Sequence, residues 1–369
     1  MTNINIDNTL HQSSHDKKSF QMTFLFIIYS FVTIIKSLIS YPGGKYKMKK
    51  DLNEVFWKLT PTKKYETYID GFFGMGGSLM SMSDSLLEHG VTKVIVNDIN
   101  PCIIKTHQCV RNHSDEMISY FSEIVRKEIV IPHGQFFITA EELLRVKKRL
   151  VQRFDELQNK KEYGIESSTL FIMLSSFNFS GVVNIKKGGI IKFSDSIYEY
   201  GDIKDFFFMT IKRIQTYSEL YNKFDMSFYN VDYFDLHRHF KGRKNTLWNI
   251  DTVYVKEDYT EYIKEDMERL QNSQILGCKC DYSQSDFDHI GVLESLKDID
   301  FIYNNNTHPI MYHYVDKFNL KHRLFERKEI ISGNKDTETK NVTEIILYGN
   351  NFKSVSNNIN FENLTQKSA

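Results

Sequence analysis

A glycine-rich turn and an acidic residue after it are the first features of this sequence with the chemistry to bind a ligand. The turn reads Gly71-Phe-Phe-Gly-Met-Gly-Gly-Ser78 and follows a short β-prone run, Tyr65–Asp70. Glycines let the backbone approach a ligand closely, and the helix after the turn offers free N–H groups. Asp98 ends the next apolar run, where its carboxylate can accept hydrogen bonds from two ribose hydroxyls. Together, the glycine-rich turn and Asp98 predict a site for a nucleoside-containing cofactor. The alternative is an ordinary βα turn without a ligand.

The spacing of the glycines argues against a nicotinamide cofactor. The dinucleotide fingerprint is Gly-x-Gly-x-x-Gly, in which the third glycine permits close packing of helix and strand. Here Gly74 and Gly76 are followed by Leu79 at the third position. A different class of nucleoside-containing cofactor is therefore favoured.

The elements around the turn form a βαβ unit, which predicts a parallel sheet in an α/β fold. Leu79–Glu88 is predicted to be helical and Val91–Val96 to be a strand, and residues 101–225 are mainly helical. Within that helical region, Thr139-Ala-Glu-Glu142 fits a capping box. Strand and helix alternate again over residues 226–350, where the predicted strands are Ser227–Asn230, Thr252–Val255, Phe301–Tyr303 and Val342–Tyr348.

This layout predicts a split α/β domain with a helical insert. Residues 35–110 and 226–350 form the α/β domain, residues 111–225 form the insert, and residues 351–369 are a polar tail. Residues 1–34 are predicted to be a disordered or dispensable extension. Its apolar run, residues 23–35, is shorter than the roughly 20 residues of a membrane span. A buried element is therefore favoured over a membrane anchor, and no stable membrane insertion is expected.

Composition excludes several classes of protein. The chain is 41% apolar and 25% charged, as globular proteins are, and Lys+Arg and Asp+Glu both number 47. A net charge of zero argues against a histone-like binder, so any DNA site needs a local basic patch. Four cysteines among 369 residues do not form a disulfide scaffold. The predicted location is intracellular, either cytoplasmic or associated with the nucleoid.

Further motifs follow one another along the chain in a definite order. They are Tyr41-Pro-Gly-Gly-Lys45, Tyr68–Ser78, Asn97-Asp-Ile-Asn-Pro101, Leu174–Gly181 with Lys186–Gly189, Asn230-Val-Asp-Tyr233, Asp286–Ile290 and Val342–Leu347. This ordered set resembles the Dam-like adenine-N6 DNA methyltransferase family over residues 35–350. The resemblance implies a Rossmann-like methyltransferase sheet, and it implies that the helical insert is similar to a DNA target-recognition domain.

The same resemblance implies S-adenosylmethionine as the cofactor and assigns residues to it by position. Tyr41 and Lys45 would hold the methionine end, with the Lys45 ammonium facing the carboxylate of the cofactor. The other implied contacts are the loop at Phe73, Gly74 and Gly76, Asp98 at the ribose, and Asp232 with Tyr233 at the adenine. Each assignment pairs complementary groups: a cation with a carboxylate, a carboxylate with hydroxyls, and an aromatic ring with a purine.

The catalytic motif of the family, Asp-Pro-Pro-Tyr, departs from its pattern in this sequence. In the family, an Asp oxygen and a Pro carbonyl accept the amino hydrogens of adenine, and the Tyr stacks on the flipped base. The tetrad after Asp251–Val255 reads Lys256-Glu257-Asp258-Tyr259. Lys256 has no acceptor, and about 5 Å from a sulfonium it would add roughly 3 kcal/mol of repulsion. With the lost acceptor, this predicts a slowing of roughly 10⁴-fold unless Glu257 or Asp258 replaces it.

Two functions of different class follow from these motifs. The first is a methyltransferase that acts on adenine N6 in double-stranded DNA. The alternative is a catalytically inactive methyltransferase-fold protein that serves as a nucleic-acid-binding or structural subunit with a protein partner. Acidic residues after the tetrad favour the alternative because they would repel phosphate. No metal site is predicted, since Cys102, Cys109 and His113 lie on one helical face without a fourth ligand.

Overall fold

The computed structural model describes residues 38–39, 45–129, 139–177, 183–186, 189–194, 203–255, 287–330 and 339–350. After a short 3-10 helix at Lys45–Met48, the helices within these ranges are α1 (Lys49–Leu59), α2 (Gly77–His89), α3 (Pro101–Asn112), α4 (Ser114–Glu128), α5 (Ala140–Lys160), α6 (Ile165–Phe177), α7 (Ile203–Tyr221), α8 (Tyr233–Phe240), α9 (His289–Ser295) and α10 (Pro309–Phe318). The strands are β1 (Thr67–Asp70), β2 (Lys93–Asn97), β3 (Val183–Lys186), β4 (Ile190–Phe193), β5 (Asp225–Tyr229), β6 (Thr246–Asp251), β7 (Asp300–Asn306), β8 (Lys321–Ile330) and β9 (Thr339–Asn350).

Seven of these strands form one mixed sheet in the order β5-β2-β1-β6-β7-β9-β8. Strand β1 is central and pairs in parallel with both β2 and β6, while β9 joins β7 and β8 antiparallel. The predicted Rossmann-like α/β fold is confirmed. The chain runs outward from β1 on one side to β5 and then returns to β6 on the other side. Ligands of such sheets bind at the carboxyl ends of the strands where this reversal occurs.

The two neighbouring strands β1 and β6 are buried on both faces of the sheet. All four residues of β1 are buried, and so are the first five residues of β6. Leu247 packs into the core on one face of the sheet, and Trp248 and Ile250 pack into the core on the other. This alternation follows from the two-residue period of a strand. Both faces are covered, as expected for parallel strands.

The strand predicted at Thr252–Val255 is wrong, because β6 ends at Asp251. The polar Asn249 interrupts the apolar run that sequence patterning relies on. It is nevertheless fully buried, since its amide donates to Asp70 at 3.2 Å and accepts from Asn304 at 3.3 Å. Beyond the strand, the N–H of Val255 bonds to side-chain oxygens of β7 instead of a neighbouring strand.

Helices α4–α7 and the hairpin β3–β4 lie in the chain between β2 and β5, where the insert is predicted. The capping box is confirmed, because Thr139 Oγ1 accepts from Glu142 N at 3.2 Å and Glu142 Oε2 accepts from Thr139 N at 2.9 Å. Helix α6 packs against α3, α4 and α5. None of the helices in the described ranges is long and apolar enough to cross a bilayer. The apolar run at residues 23–35 lies outside those ranges.

Candidate functional site

The glycine-rich turn leads from the carboxyl end of β1 into helix α2, and two of its glycines have left-handed backbone conformations. Gly74 has φ +48° and Gly76 has φ +72°. A Cβ at Gly76 would lie 3.1 Å from the ring of Tyr217 and 3.1 Å from the hydroxyl oxygen of Tyr221, whereas one at Gly74 would meet nothing within 4 Å. The turn is therefore packed against α7 at Gly76 and borders open space at Gly74.

Alanine at Gly76 is expected to destabilise the protein more than alanine at Gly90. Both glycines have positive φ, which costs an alanine about 1 kcal/mol. Only at Gly76 does the added Cβ crowd two tyrosine side chains, which adds about 1–3 kcal/mol. Urea unfolding of Gly76→Ala beside Gly90→Ala measures the difference. Equal losses would show that the tyrosines yield without cost.

Asp98 joins the turn to the carboxyl end of β2. Its Oδ2 accepts from Gly74 N at 3.0 Å, and its Oδ1 accepts from Asn100 N at 2.8 Å. Burial raises the pKa of Asp98 to about 7, although these two backbone N–H groups favour the charged form. The structure thus brings together Gly74 and Asp98, two of the residues that the sequence assigns to the cofactor.

His107 is hydrogen-bonded to the backbone of the glycine turn, and it was not identified from the sequence. Its Nε2 lies 2.8 Å from the carbonyl oxygen of Gly74, and its Nδ1 lies 2.7 Å from the hydroxyl of Tyr221. Because a carbonyl can only accept, Nε2 carries the proton and Nδ1 accepts from Tyr221. Burial lowers the pKa of His107 to about 4, which keeps it neutral. Phe73, predicted to line the cofactor loop, is buried with its ring 4.6 Å from the His107 ring.

Asp232 and Tyr233 begin helix α8 beside the turn. Asp232 is the N-cap, since its Oδ1 accepts from Phe234 N at 2.8 Å. Tyr233 is buried, and its hydroxyl lies 2.8 Å from Ser295 Oγ. Its ring stacks on Phe72 at 4.9 Å between centroids. Phe72 is less buried than Tyr233, so it is the ring of this pair nearer the surface, and it was not predicted as a site residue.

Two carboxyl groups meet where β1 and β6 end. Asp70 closes β1 and is fully buried, with its Oδ2 accepting from Tyr68 at 3.3 Å and from Asn249 at 3.2 Å. Burial and the nearby Asp251 raise the pKa of Asp70 to about 8. Burial also raises the pKa of Asp251, to about 6, against the opposing effect of Lys45. Because Asp251 contacts the Lys45 ammonium at 3.0 Å, the negative charge of this pair is favoured on Asp251.

Lys45 binds two carboxylates, Asp251 and Glu344, near the carboxyl end of β6. Its Nζ lies 3.0 Å from Asp251 Oδ1 and 3.0 Å from Glu344 Oε2, and it donates to the Tyr254 hydroxyl at 3.4 Å. Burial alone would lower the pKa of Lys45, but the two carboxylates raise it above its usual range, so it stays an ammonium. The predicted contact of Lys45 with a cofactor carboxylate stays a prediction.

An acid at the strand end and a tyrosine three residues later form a second tetrad in the sequence. It reads Asp251-Thr252-Val253-Tyr254, with both outer residues of the family motif. The predicted tetrad Lys256-Glu257-Asp258-Tyr259 and Tyr41 lie outside the described residues. The pairing of β6 with β7 is the signal that identifies Asp251, because it extends to Asp251 opposite Asn304 and so sets where β6 ends.

No group of three or more His, Cys, Asp or Glu side chains that could hold a metal ion occurs in the described ranges. Cys102 and Cys109 are buried, and burial raises the pKa of both thiols. His113 lies at the helix end with its Nδ1 2.5 Å from Glu116. The two cysteines therefore contribute to packing, and His113 contributes a surface contact with Glu116.

Comparison of the sequence with known protein families finds a family that matches most of this site. A family model described as D12 class N6 adenine-specific DNA methyltransferase matches residues 41–303. The match covers more than half of the chain and includes the glycine turn, Asp98, Asp251 and Tyr254. No curated protein matches the chain. The resemblance predicted from the ordered motifs is confirmed, and the chain belongs to the D12 class N6 adenine-specific DNA methyltransferase family.

Proposed function

We propose that this protein transfers a methyl group from S-adenosylmethionine to N6 of adenine in double-stranded DNA. In this proposal, Asp251-Thr252-Val253-Tyr254 is the catalytic tetrad. The observation that carries it is the position of Asp251 at the carboxyl end of β6, adjacent to β1 and its glycine turn. A location inside the cell, cytoplasmic or associated with the nucleoid, follows from the DNA substrate.

Asp251 supplies the acceptor that adenine requires. The lone pair of the amino nitrogen is delocalised into the purine ring, so hydrogen bonds from its N–H groups to an acceptor favour attack on the methyl group. Asp251 is suited to this because 22% of its side chain is exposed, against 1% for Glu344. Lys45 contacts Oδ1, so Oδ2 is the oxygen we assign to the amino group. The carbonyl of Thr252 holds the place of the proline carbonyl of the family motif.

Tyr254 supplies the aromatic ring for the flipped base. Burial raises the pKa of its hydroxyl to about 12, so the group stays protonated and donates to Glu344 Oε1 at 2.6 Å. A base–aromatic stack contributes about 1–3 kcal/mol and depends on ring orientation. The hydrogen bond to Glu344 holds the hydroxyl end of the ring in place before the base arrives.

The turn and its neighbours fit S-adenosylmethionine, which supplies an electrophilic methyl group on a sulfonium. The open space at Gly74 gives the cofactor access to the backbone, and the nearby Asp98 carboxylate suits the ribose hydroxyls. We assign Gly76 and Phe73 to the shape of the turn and retain Tyr41, Asp232 and Tyr233 as predicted contacts. Phe72 is added as a ring beside the site.

Cofactor affinity is expected to fall as the pH drops through about 7. Ribose hydroxyls donate to the ionised form of Asp98, whose pKa burial raises to about 7. Protonation replaces an acceptor with a donor, so the Kd should rise about tenfold per pH unit well below that value. Calorimetric titration between pH 5.5 and 8.5 measures the slope. Asp98→Asn should bind more weakly with a flat profile, and an equal slope in that variant would assign the titration to another group.

One observation favours the alternative of an inactive subunit that binds nucleic acid or a protein partner. The Lys45 ammonium already occupies one oxygen of the proposed acceptor, Asp251. Incubation with isotope-labelled cofactor and double-stranded DNA of mixed sequence separates the two functions. Labelled N6-methyldeoxyadenosine in the digested DNA supports the enzyme. Calorimetric binding of the cofactor without product supports the subunit, and no binding at all removes the cofactor site.

A further inference from the structure

Glu344 contacts two parts of the candidate catalytic site from a strand that the family match does not reach. It lies on β9 opposite Asn306 of β7, beyond residue 303, where the match ends. Its side chain is 1% exposed. An isolated buried carboxylate is strongly disfavoured, so partners for its oxygens are required. Oε1 accepts from the Tyr254 hydroxyl at 2.6 Å, and Oε2 accepts from Lys45 at 3.0 Å.

The two carboxylates share one cation. Lys45 lies at the same 3.0 Å distance from Asp251 and from Glu344. A cation bound to Asp251 alone would withdraw charge from the oxygens that must accept the hydrogen bond of the substrate. Glu344 provides a second anion that retains the ammonium, and the more exposed Asp251 keeps an oxygen for another donor.

We propose that Glu344 is a positioning residue for methyl transfer, which holds the Tyr254 ring through Oε1 and retains the Lys45 ammonium through Oε2. This inference rests on the proposed function, because it assumes that Asp251 and Tyr254 are the acceptor and the stacking ring. Glu344 acts through these residues and through Lys45.

Several charged or titratable groups surround Asp251, and any pH dependence must consider all of them. Asp70 and Tyr68 face it from β1, Tyr303 from β7 and Glu344 from β9. Tyr254 faces it from the segment after β6, and Lys45 binds it from the 3-10 helix. Glu344 raises the pKa of Asp251 and Lys45 lowers it. Removing the charge of Glu344 should therefore shift the ionisation of Asp251 to lower pH.

The test compares Glu344→Gln with Glu326→Gln, which removes an exposed carboxylate on the neighbouring strand β8. Glu344→Gln is expected to lower kcat about 10–100-fold, because a small misplacement of groups in an active site can cost up to about 100-fold in rate. The KM for the cofactor should change less than twofold. The acid limb of the kcat profile, near pH 6 in the wild type, should move to lower pH, and Glu326→Gln should match the wild type. A merely structural defect would lower kcat without moving the limb.

Two further measurements test the role of Glu344. Tyr254→Phe keeps the ring and removes the hydroxyl, with its 2.6 Å bond to Glu344 and its 3.4 Å contact to Lys45. We expect kcat to fall about 3–10-fold even if Glu344→Gln does not fold. Carbon-13 NMR of the Asp251 carboxyl, assigned by its loss in Asp251→Asn, follows ionisation without turnover. An inactive wild type would remove the proposed function, while a lower Asp251 pKa in Glu344→Gln would still support the network. An unmoved Asp251 pKa, or unchanged kcat in Tyr254→Phe, would overturn the inference.

Discussion

Replacing Asp251 by asparagine is expected to slow methyl transfer by about 10²–10³-fold, the loss typical when one preorganised transition-state contact is removed. Asparagine keeps the size of the side chain, but it has a single acceptor oxygen and its NH₂ group can only donate. Its amide would also leave Lys45 with one carboxylate instead of two. Single-turnover transfer at saturating cofactor and DNA measures the chemical step.

Binding of the cofactor provides the control for this variant. The Kd of S-adenosylmethionine should stay within about threefold, because the residues assigned to the nucleoside lie at the glycine turn and at Asp98. Asp84→Asn removes an exposed carboxylate on α2 and should transfer at the wild-type rate. A rate for Asp251→Asn within fivefold of wild type would exclude Asp251 as the acceptor.

Replacing Lys45 by methionine is expected to lower the free energy of unfolding by about 3–5 kcal/mol, because breaking a buried ion pair leaves its partners uncompensated. Here the partners are two carboxylates, Asp251 and Glu344. Lys49→Met is the matched control. Lys49 pairs with Asp84 at 3.3 Å on the surface, and such pairs contribute about 0–1 kcal/mol. Urea unfolding of both variants measures the contrast.

The loss in Lys45→Met should depend on pH in a definite direction. Asp251 has a folded-state pKa of about 6, above the ordinary value for Asp of about 3.9, and removing Lys45 raises it further. A carboxyl with a raised folded pKa destabilises the fold as the pH rises from its unfolded value towards its folded value. The deficit should therefore be smallest below about pH 6, where Asp251 is protonated in both folded proteins, and grow as the pH rises above 6, where only the wild type holds Asp251 ionised beside Lys45. Glu344→Gln added to Lys45→Met should restore part of the stability, and a deficit independent of pH would contradict the ion-pair explanation.

The fold and the glycine turn with its neighbour Asp98 could be predicted because their signals are local. The βαβ unit, the capping box at Thr139 and the glycine turn each occupy a short stretch of sequence with a characteristic pattern. Gly74 and Gly76 have the positive φ values for which glycine is selected. Asp98 lies within hydrogen-bonding distance of the turn because it ends the strand next to β1.

The catalytic side could not be predicted because it depends on contacts between distant residues. Asn249 looks like an interruption of a strand, and only its bonds to Asp70 and Asn304 make it part of the central strand. The predicted strand therefore ended four residues too late, at Val255 instead of Asp251. In the proposed tetrad, Lys256 follows Tyr254, so the roughly 10⁴-fold slowing predicted for an ammonium in place of the acceptor does not apply.

Supporting residues were missed for the same reason. Glu344 is 90 residues from Tyr254 in the sequence, and the pairing of β9 with β7 brings it into the network. His107 and Tyr221 lie on different helices, separated by 114 residues. An isolated histidine or glutamate in an amphipathic stretch has no local signature of such a role. Their identification requires the tertiary fold.

The position of the catalytic acceptor is tested most directly by comparing two isosteric variants, Asp251→Asn and Asp258→Asn, in one assay. DNA is incubated with isotope-labelled S-adenosylmethionine and each protein, then digested, and labelled N6-methyldeoxyadenosine is quantified. We expect product from the wild type and from Asp258→Asn, and almost none from Asp251→Asn. Product from Asp251→Asn at the wild-type level, with its loss in Asp258→Asn, would contradict the assignment and return the acceptor to residues 256–259.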